Sequence, residues 1–459
     1  MMREINEECG VFGVYQVKDA ASAAYFGLHS LQHRGQEGAG IAVSDGSQLQ
    51  LHKGHGLVTD VFDAKQLAKL RGSNAVGHVR YSTEGGEELE NVQPLVARAQ
   101  IGSLAVVHNG QIVNAAELRL EQEEKGHIFH GTSDSEIILH LIQGEKGPLM
   151  EKIRKACSRL EGAFAFLILT EKSLYAIRDR HGLRPLSIGY LGDGYLVSSE
   201  TCGFDAVGGE FWRDVEPGEI VKFSQDGIEF CYYTEKIEHK LCSMEHIYFA
   251  RPDSNLDGLN VHTMRKRTGR LLAEKDKEWL EADIVVGVPD SSMSAAIGYS
   301  EASGLPHEMG LVKNRYVGRT FIEPTQEQRE MGVRMKLSAN RKVVEGKRIV
   351  LIDDSLVRGT TSRRIVQQLR DAGAEEVHVR IAAPEYCYPC FYGVDTATRQ
   401  ELISAQMNVK ELCAYLKADS LRFLSVEDLK RAYGSDRFCF SCFTGEYVTQ
   451  LYGHQSQLE

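Results

Sequence analysis

The sequence predicts two unlike domains in series: an antiparallel, β-rich first half, then an α/β half on a parallel sheet, ending in a cysteine-bearing tail. Three observations predict it. Strand-like apolar runs dominate the first half, with two helix-like stretches among them. After about residue 240, buried strands alternate with helices at βαβ spacing. And 459 residues are too many for one compact hydrophobic core.

The elements follow in order. "CGVFGVY" (9–15) alternates Val11, Gly13 and Tyr15 against Phe12 and Val14, a strand beginning at Cys9. Residues 20–32 put Ala24, Leu28 and Leu31 on one helical face. "SLAVVHNG" (103–110), "AFAFLILT" (163–170), "SLYAIRD" (173–179) and "LSIGYLGDGYLVSS" (186–199) read as strands, with a turn after "LAVVH" and a hairpin at Gly192-Asp193-Gly194. "TSDSEIILHLIQ" (132–143) supplies capping residues, then Ile137, Ile138 and Leu141 at helical spacing. The pattern changes near 235–245. "DIVVGVPDSS" (283–292) is a buried strand and small-residue turn leading into a helix through Tyr299. "RIVLIDDS" (348–355) is a second strand, "GTTSRRIVQQLRDAGA" (359–374) a helix with a Thr/Ser start and a Gly stop, and "EVHVRIAAP" (376–384) a third strand. No internal repeat or low-complexity segment interrupts this order.

Composition excludes several function classes. With 42% hydrophobic and 25% charged residues the chain is an ordinary globular protein. A net charge of −11 argues against a nucleic-acid partner, whose phosphates call for clustered positive charge. No apolar run is long enough to span a bilayer, and the N-terminus lacks the basic start and apolar core of a secretory signal, so no membrane partner and a cytoplasmic location are expected. Ten cysteines in so long a chain point to metal or catalytic use for some, not to a disulfide framework.

Chemistry is densest in "IVLIDDSLVRGTTS" (349–362). Open parallel sheets bind ligands beyond the C-terminal ends of their strands, and Asp353 and Asp354 sit there together. Adjacent carboxylates repel unless something positive or hydroxylated lies between them; magnesium and a ribose diol are the natural partners. Ser355, Arg358, Gly359, Thr360, Thr361 and Ser362 then form a polar loop ending at a helix start, a phosphate cradle. The stretch resembles the phosphoribosyl pyrophosphate motif of type I phosphoribosyltransferases. That resemblance gives the acidic pair to the ribose hydroxyls and metal, the loop to the 5-phosphate, "GVPDSS" (287–292) to the pyrophosphate side with Ser291 as a further magnesium contact, and "KNRYVGRTFI" (313–322) to a loop closing over substrate, where Lys313, Arg315 and Arg319 suit pyrophosphate.

"CGVFGVY", "LHSLQHRGQEGAGIA" (28–42), "GHVRYST" (77–83), "VVHNGQIVN" (106–114) and "TSDSE" (132–136), in this order, resemble class II glutamine amidotransferases, an N-terminal-nucleophile family. Joined to the second half they resemble the glutamine phosphoribosylpyrophosphate amidotransferase family over nearly the whole chain, "ARPDSN" (250–255) included. The resemblance implies an αββα sandwich over 9–240, a type I phosphoribosyltransferase fold over 241–430 and a helical or irregular tail over 431–459. Residues 1–8 become a propeptide removed autocatalytically. Release of Cys9 would place an α-amino group, titrating near ~7.7–8.0, beside its thiol as general base. The resemblance assigns the oxyanion to Asn109 and to the N–H of Gly110, the α-carboxylate of glutamine to Arg80 and its α-ammonium to Asp134. Where the family commonly continues "HVRYST" with Ala-Gly, this chain has Glu84-Gly85. The implied reaction makes 5-phosphoribosylamine, glutamate and pyrophosphate, the committing step of purine nucleotide synthesis. The implied partners are glutamine, phosphoribosyl pyrophosphate, purine nucleotides as feedback inhibitors, and further copies of the chain in a homo-oligomer, typically a tetramer.

The cysteines admit two readings. By spacing, Cys387-Tyr-Pro-Cys390 and Cys439-Phe-Ser-Cys442 make a tetrathiolate zinc site. The resemblance implies instead a structural [4Fe–4S] cluster on Cys242, Cys390, Cys439 and Cys442, with Cys387 a bystander. Four thiolates fit either metal. Two rival functions remain in view: a regulatory protein that keeps a phosphoribosyltransferase domain as a sensor, which would need a DNA-binding element and a basic face, and a free-standing N-terminal-nucleophile amidohydrolase, which leaves Asp353–Ser362 without a purpose.

Overall fold

The computed structural model describes residues 9–81, 88–99, 102–276, 280–314, 337–396 and 398–457. The propeptide expected at 1–8, Glu84-Gly85 and the Arg315 and Arg319 of the expected closing loop lie outside them.

In the first half two antiparallel sheets face each other. One takes β1 (Gly10–Tyr15), β2 (Gly38–Ser44), β3 (Leu49–His55), β4 (Asn74–Arg80), β9 (Ser187–Leu191), β10 (Gly194–Ser198) and β11 (Glu210–Asp214) in the order β11-β9-β10-β1-β4-β2-β3. The other takes β5 (Leu95–Ala99), β6 (Gly102–Ile112), β7 (Gly162–Leu169), β8 (Leu174–Arg178), β12 (Glu219–Ser224) and β13 (Gly227–Tyr232) in the order β13-β12-β8-β7-β6-β5. Val11, Tyr15 and Val76 meet Ala105, Val107 and Leu167 between the sheets. The alternate residues Phe12 and Val14 turn outward onto helix α1 (Ala20–Ser30). Helices α2 (Ala115–Glu124), α3 (Ile137–Gly144) and α4 (Leu149–Cys157) cover the second sheet. The layering is αββα. Strands buried on both faces explain the near-continuous apolar runs. Gly27 lets α1 approach closely, since a Cβ there would lie 2.5 Å from the ring of Phe12.

The junction carries β14 (Leu241–Cys242), a five-residue helical turn at Glu245–Phe249 and a small hairpin, β15 (Asn255–Leu256) and β16 (Leu259–Asn260). Helix α5 (Val261–Asp276) leads into a parallel sheet of β17 (Ile284–Gly287), β20 (Arg348–Asp353), β21 (Glu376–Ile381) and β22 (Ser420–Phe423), in register from Ile284↔Ile349 to Ile381↔Phe423. Helices α6 (Met293–Ser303) and α7 (Thr360–Asp371) are the βα partners of β17 and β20. Beside them lies a short pair, β18 (Leu311–Lys313) and β19 (Leu337–Ala339). The tail returns to the junction as β23 (Phe438–Cys439), parallel to β14, setting Cys242 opposite Cys439. Among the described residues no helix is long and apolar enough to cross a membrane.

The structure corrects one local expectation. Asn109 and Gly110 do not form a turn: β6 runs through them to Ile112, with Asn109 opposite Ala165 and Gly110 opposite Phe164. It also adds helices. The buried face of α2 includes Gln122 beside Leu118, and that of α5 includes Arg265 and Thr268, so the apolar periodicity that marks a helix is broken there.

Candidate active sites

Cys9 stands just before β1. Its Sγ lies 3.5 Å from the N–H and 3.4 Å from the carbonyl of Tyr81, and its own carbonyl accepts from Nε of Arg34 at 3.0 Å. Tyr81 follows β4, whose last residue, Arg80, is 5% exposed. A bond between His78 Nε2 and the His108 carbonyl at 3.0 Å pins β4 to β6 across the two sheets. It sits two residues before Arg80 and one before Asn109. Asn109 is wholly buried, and neither atom of its carboxamide has a hydrogen-bond partner. Buried amides are rarely left so, and an absent ligand is the natural complement. Gly110 has φ 137°, and a Cβ there would lie 2.1 Å from the Ala163 carbonyl, so only glycine fits.

Asp134 accepts the Ile112 N–H at 2.8 Å and the Ser135 hydroxyl at 3.2 Å. Burial raises its carboxyl to about 6. Ser135 is held in turn by Gln93 Nε2 at 3.0 Å and by His108 Nδ1 at 2.8 Å. Burial pushes His78 and His108 down to about 3, so both imidazoles are neutral at physiological pH. The centre therefore has a thiol, an unpartnered amide, a guanidinium and a carboxylate awaiting a cation.

The second centre lies at the C-terminal edge of the parallel sheet, around a cavity of about 180 Å³ lined by Tyr248, Ser291 and the run Asp353–Ser362. The carboxylates are held by hydroxyls: Ser291 and Ser355 (2.6 Å) donate to Asp354, and Ser362 donates to Asp353 at 3.1 Å. Burial, then the charge of Asp354, raises Asp353 to about 7; burial raises Asp354 as well. Two crowded carboxylates with serine hydroxyls are hard oxygen donors, the set a magnesium ion takes. Gly359 (φ 71°) turns the loop into α7, leaving the first-turn N–H groups of Thr360, Thr361 and Ser362 at the cavity, as a phosphate requires. Arg358 is paired with Glu401, and Lys313 reaches Asp290 at 2.7 Å.

At the junction, Cys242, Cys439 and Cys442 are buried and Cys390 partly so. Burial raises the Cys442 thiol well above its ordinary range, and the charges of Cys390, Cys439 and Cys242 add to this, so the four lie within electrostatic reach of one another. Cys387 donates its backbone N–H to the Cys442 carbonyl at 3.1 Å, but its thiol is directed to the Ser404 carbonyl at 3.6 Å. Among the described residues no three donors converge on a single-ion position. A tetrahedral zinc draws its sulfurs to about 4 Å from each other, whereas an iron–sulfur cube takes one thiolate at each of four corners, a wider spacing. Cys242, Cys390, Cys439 and Cys442 are soft thiolate donors, a set that either group accepts.

Sequence reasoning missed Arg34, Tyr81, Glu200, Glu245, His108 and Ser135, the residues that hold these groups in place. Arg34 lies inside "LQHRGQEGAG", but nothing local signals that its partners are 166 and 211 residues away.

Comparison with known proteins follows the same division. A glutamine amidotransferase domain model matches residues 78–206 and a phosphoribosyl transferase domain model residues 259–385. The chain is 54% identical to the amidophosphoribosyltransferase of Bacillus subtilis (strain 168), over 98% of this chain and 96% of that one. It is 49% identical to that of Staphylococcus aureus (strain MRSA252), over 98% and 93%. The structure superposes on the B. subtilis glutamine phosphoribosylpyrophosphate amidotransferase complexed with ADP and GMP with a TM-score of 0.92, covering 97% of this chain and 98% of that one. A second solved structure, described as the allosteric regulatory enzyme of purine biosynthesis, gives 0.93 at 54% identity, covering 98% of each chain. With two centres of matching chemistry and full-length identity of this order, the chain belongs to the amidophosphoribosyltransferase family.

Proposed function

We propose that the chain hydrolyses glutamine at Cys9 and passes the ammonia to phosphoribosyl pyrophosphate, giving 5-phosphoribosylamine, glutamate and pyrophosphate, the committing step of purine nucleotide synthesis. The observation that carries the reading is that one chain joins a buried, unpartnered Asn109 amide, in the sheet that faces the one Cys9 leads into, to a hydroxyl-held carboxylate pair beneath a phosphate cradle.

The Cys9 thiolate attacks the side-chain carbonyl of glutamine. The oxyanion that develops accepts from the Asn109 amide and the Gly110 N–H. Arg80 takes the α-carboxylate and Asp134 the α-ammonium. Ammonia leaves from the tetrahedral adduct, and water then releases glutamate from the thioester. His78 and His108, held neutral and far below physiological pH, are poor proton acceptors, which supports the α-amine of a Cys9 freed from residues 1–8 as the base. At the second centre ammonia attacks C1 of the ribose as the C1–pyrophosphate bond breaks. Asp353 and Asp354 orient the ribose hydroxyls, and Ser355, Arg358, Gly359, Thr360, Thr361 and Ser362 hold the 5-phosphate. Asp353 and Asp354 with Ser291 would hold magnesium, which when bound would supply positive charge favouring departure of pyrophosphate.

A [4Fe–4S] cluster on Cys242, Cys390, Cys439 and Cys442 would staple tail to junction as a structural element; the β14–β23 pairing supports this. The division into residues 9–240, 241–430 and 431–459 is part of the same reading. Purine nucleotides as feedback inhibitors, a homotetramer and a cytoplasmic location complete it; the ADP and GMP in the B. subtilis complex support the first. The test is pyrophosphate release from phosphoribosyl pyrophosphate and magnesium: glutamine should drive it with one glutamate formed per pyrophosphate. Release of glutamate with no dependence of pyrophosphate on glutamine would contradict the reading.

A further inference from the structure

Four charged side chains meet at the junction with no exposure to solvent: Arg34, Arg184, Glu200 and Glu245. Two positive and two negative groups balance, which burial requires. Glu245 holds Arg34 bidentately, at 2.8 Å to Nη2 and 2.9 Å to Nη1, while Glu200 takes Nη1 at 2.7 Å. A guanidinium clamped in this way has its plane fixed, and its Nε donates to the Cys9 carbonyl at 3.0 Å. The Glu245 oxygen that takes Arg34 Nη2, Oε1, also accepts from Arg184 Nη1 at 3.4 Å, and Arg184 Nη2 donates to the Tyr392 carbonyl. The next residue, Gly393 (φ 106°), lies against Gly110: a Cβ on it would be 3.4 Å from the Gly110 carbonyl carbon and 2.8 Å from Arg184 Nη2.

We infer that Glu245, contributed by the transferase half, is a positioning residue for glutamine hydrolysis, fixing both the backbone that bears the nucleophile and the loop packed on the oxyanion strand. This rests on the proposed function. The thiol and the amine of Cys9 hang from one Cα, whose third backbone arm is the carbonyl; holding that carbonyl sets the direction of the other two. Glu245 is itself anchored on the transferase side. It opens the turn Glu245–Phe249, which Arg265 ties to α5 through the His246 carbonyl (2.6 Å) and the Ala250 carbonyl (2.9 Å). Loss of the charge of Glu245 removes one of the two carboxylates that hold Arg34, letting the guanidinium tilt and misplace Cys9 without touching the carboxylate pair.

The experiment compares full-length Glu245→Gln and Glu245→Asp with wild type in glutamine-driven and ammonia-driven pyrophosphate release, reading kcat and KM separately. A second readout is the rate at which a diazoketone analogue of glutamine alkylates Cys9. Glu245→Gln should lower glutamine kcat by about 10- to 100-fold, the scale of an ångström-sized misplacement, with KM and ammonia-driven kcat changed less than about threefold and alkylation falling in step with kcat. Glu245→Asp, which keeps the charge but is one methylene too short to reach the guanidinium where it lies, should fall between. Should Glu245→Gln fail to fold, Glu245→Asp carries the test by the same split. Wild-type glutamine kcat in either soluble variant, or equal loss of both activities, would overturn the positioning role. A wild type without glutamine-driven release would overturn the functional reading beneath it as well.

Discussion

The two centres solve the problem of a buried carboxylate differently. In the glutamine centre one carboxylate, Asp134, is surrounded by strands whose groups are already bonded to each other, and burial holds it at about 6. In the transferase centre two carboxylates are pressed together at a strand end, and burial with their mutual repulsion holds Asp353 at about 7. Among the described residues no ion pair with a lysine or arginine is formed by any of the three. In the proposed function the difference is in what completes it: an ammonium for a single acid on a rigid floor, a divalent cation for a pair where a strand gives way to a loop. A centre that stabilises charge developing at one point needs fixed donors, and β6 supplies them. A centre that assembles a metal, a diol and two phosphate groups needs loops that leave backbone N–H groups uncommitted.

The largest expected effect tests the loop centre. Asp353→Asn with Asp354→Asn should cut both glutamine- and ammonia-driven synthesis by about 10³-fold or more while glutamine hydrolysis continues; chelation of magnesium should do the same. Parallel assays of pyrophosphate and glutamate separate the outcomes, and loss of hydrolysis to the same degree would erase the distinction between the centres.

Next comes the fixed donor. Asn109→Ala should lower kcat for glutamine by about 10²- to 10³-fold with ammonia-driven synthesis unchanged. A loss confined to KM would make Asn109 a ground-state contact instead.

The third effect is one of pH. Only the ionised form of Asp134 binds an ammonium. Its pKa in the free protein lies above the ordinary carboxylate value, so the binding form is lost as pH falls through about 6. Glutamine KM should rise below that point, approaching tenfold per pH unit. Glutamine KM measured from pH 5 to 8 checks this; a KM flat to pH 5 would mean that Asp134 is already paired.

Smallest is the effect expected at Cys387. Cys387→Ser should leave iron content and folded yield as in wild type, whereas Cys242→Ser should lose both, read by metal analysis and visible absorbance of protein purified without oxygen. Zinc in place of iron, with Cys387 required, would return the site to the paired C-x-x-C reading.

What was legible in the sequence was what is contiguous. Asp353–Ser362 is strand end, loop and helix start in one run, so order alone reports its chemistry. The strands were legible because the faces of β1 and β7 are buried throughout. Asn109-Gly110 misled because Asn-Gly favours turns; here Gly110 serves the close approach of the Ala163 carbonyl inside a strand. Arg34, Glu200, Glu245 and Arg184 were not legible at all. Each is an ordinary charge in sequence, and only the meeting of four distant segments makes them a buried network.

The central claim is that one chain houses two chemically separate centres joined by ammonia. Cys9→Ala tests it most directly, assayed for pyrophosphate release from phosphoribosyl pyrophosphate with glutamine or with an ammonium salt as the nitrogen source. No release above background is expected with glutamine, and a rate within about twofold of wild type with ammonia. Release with glutamine, or loss of the ammonia-driven rate in well-folded protein, would contradict it.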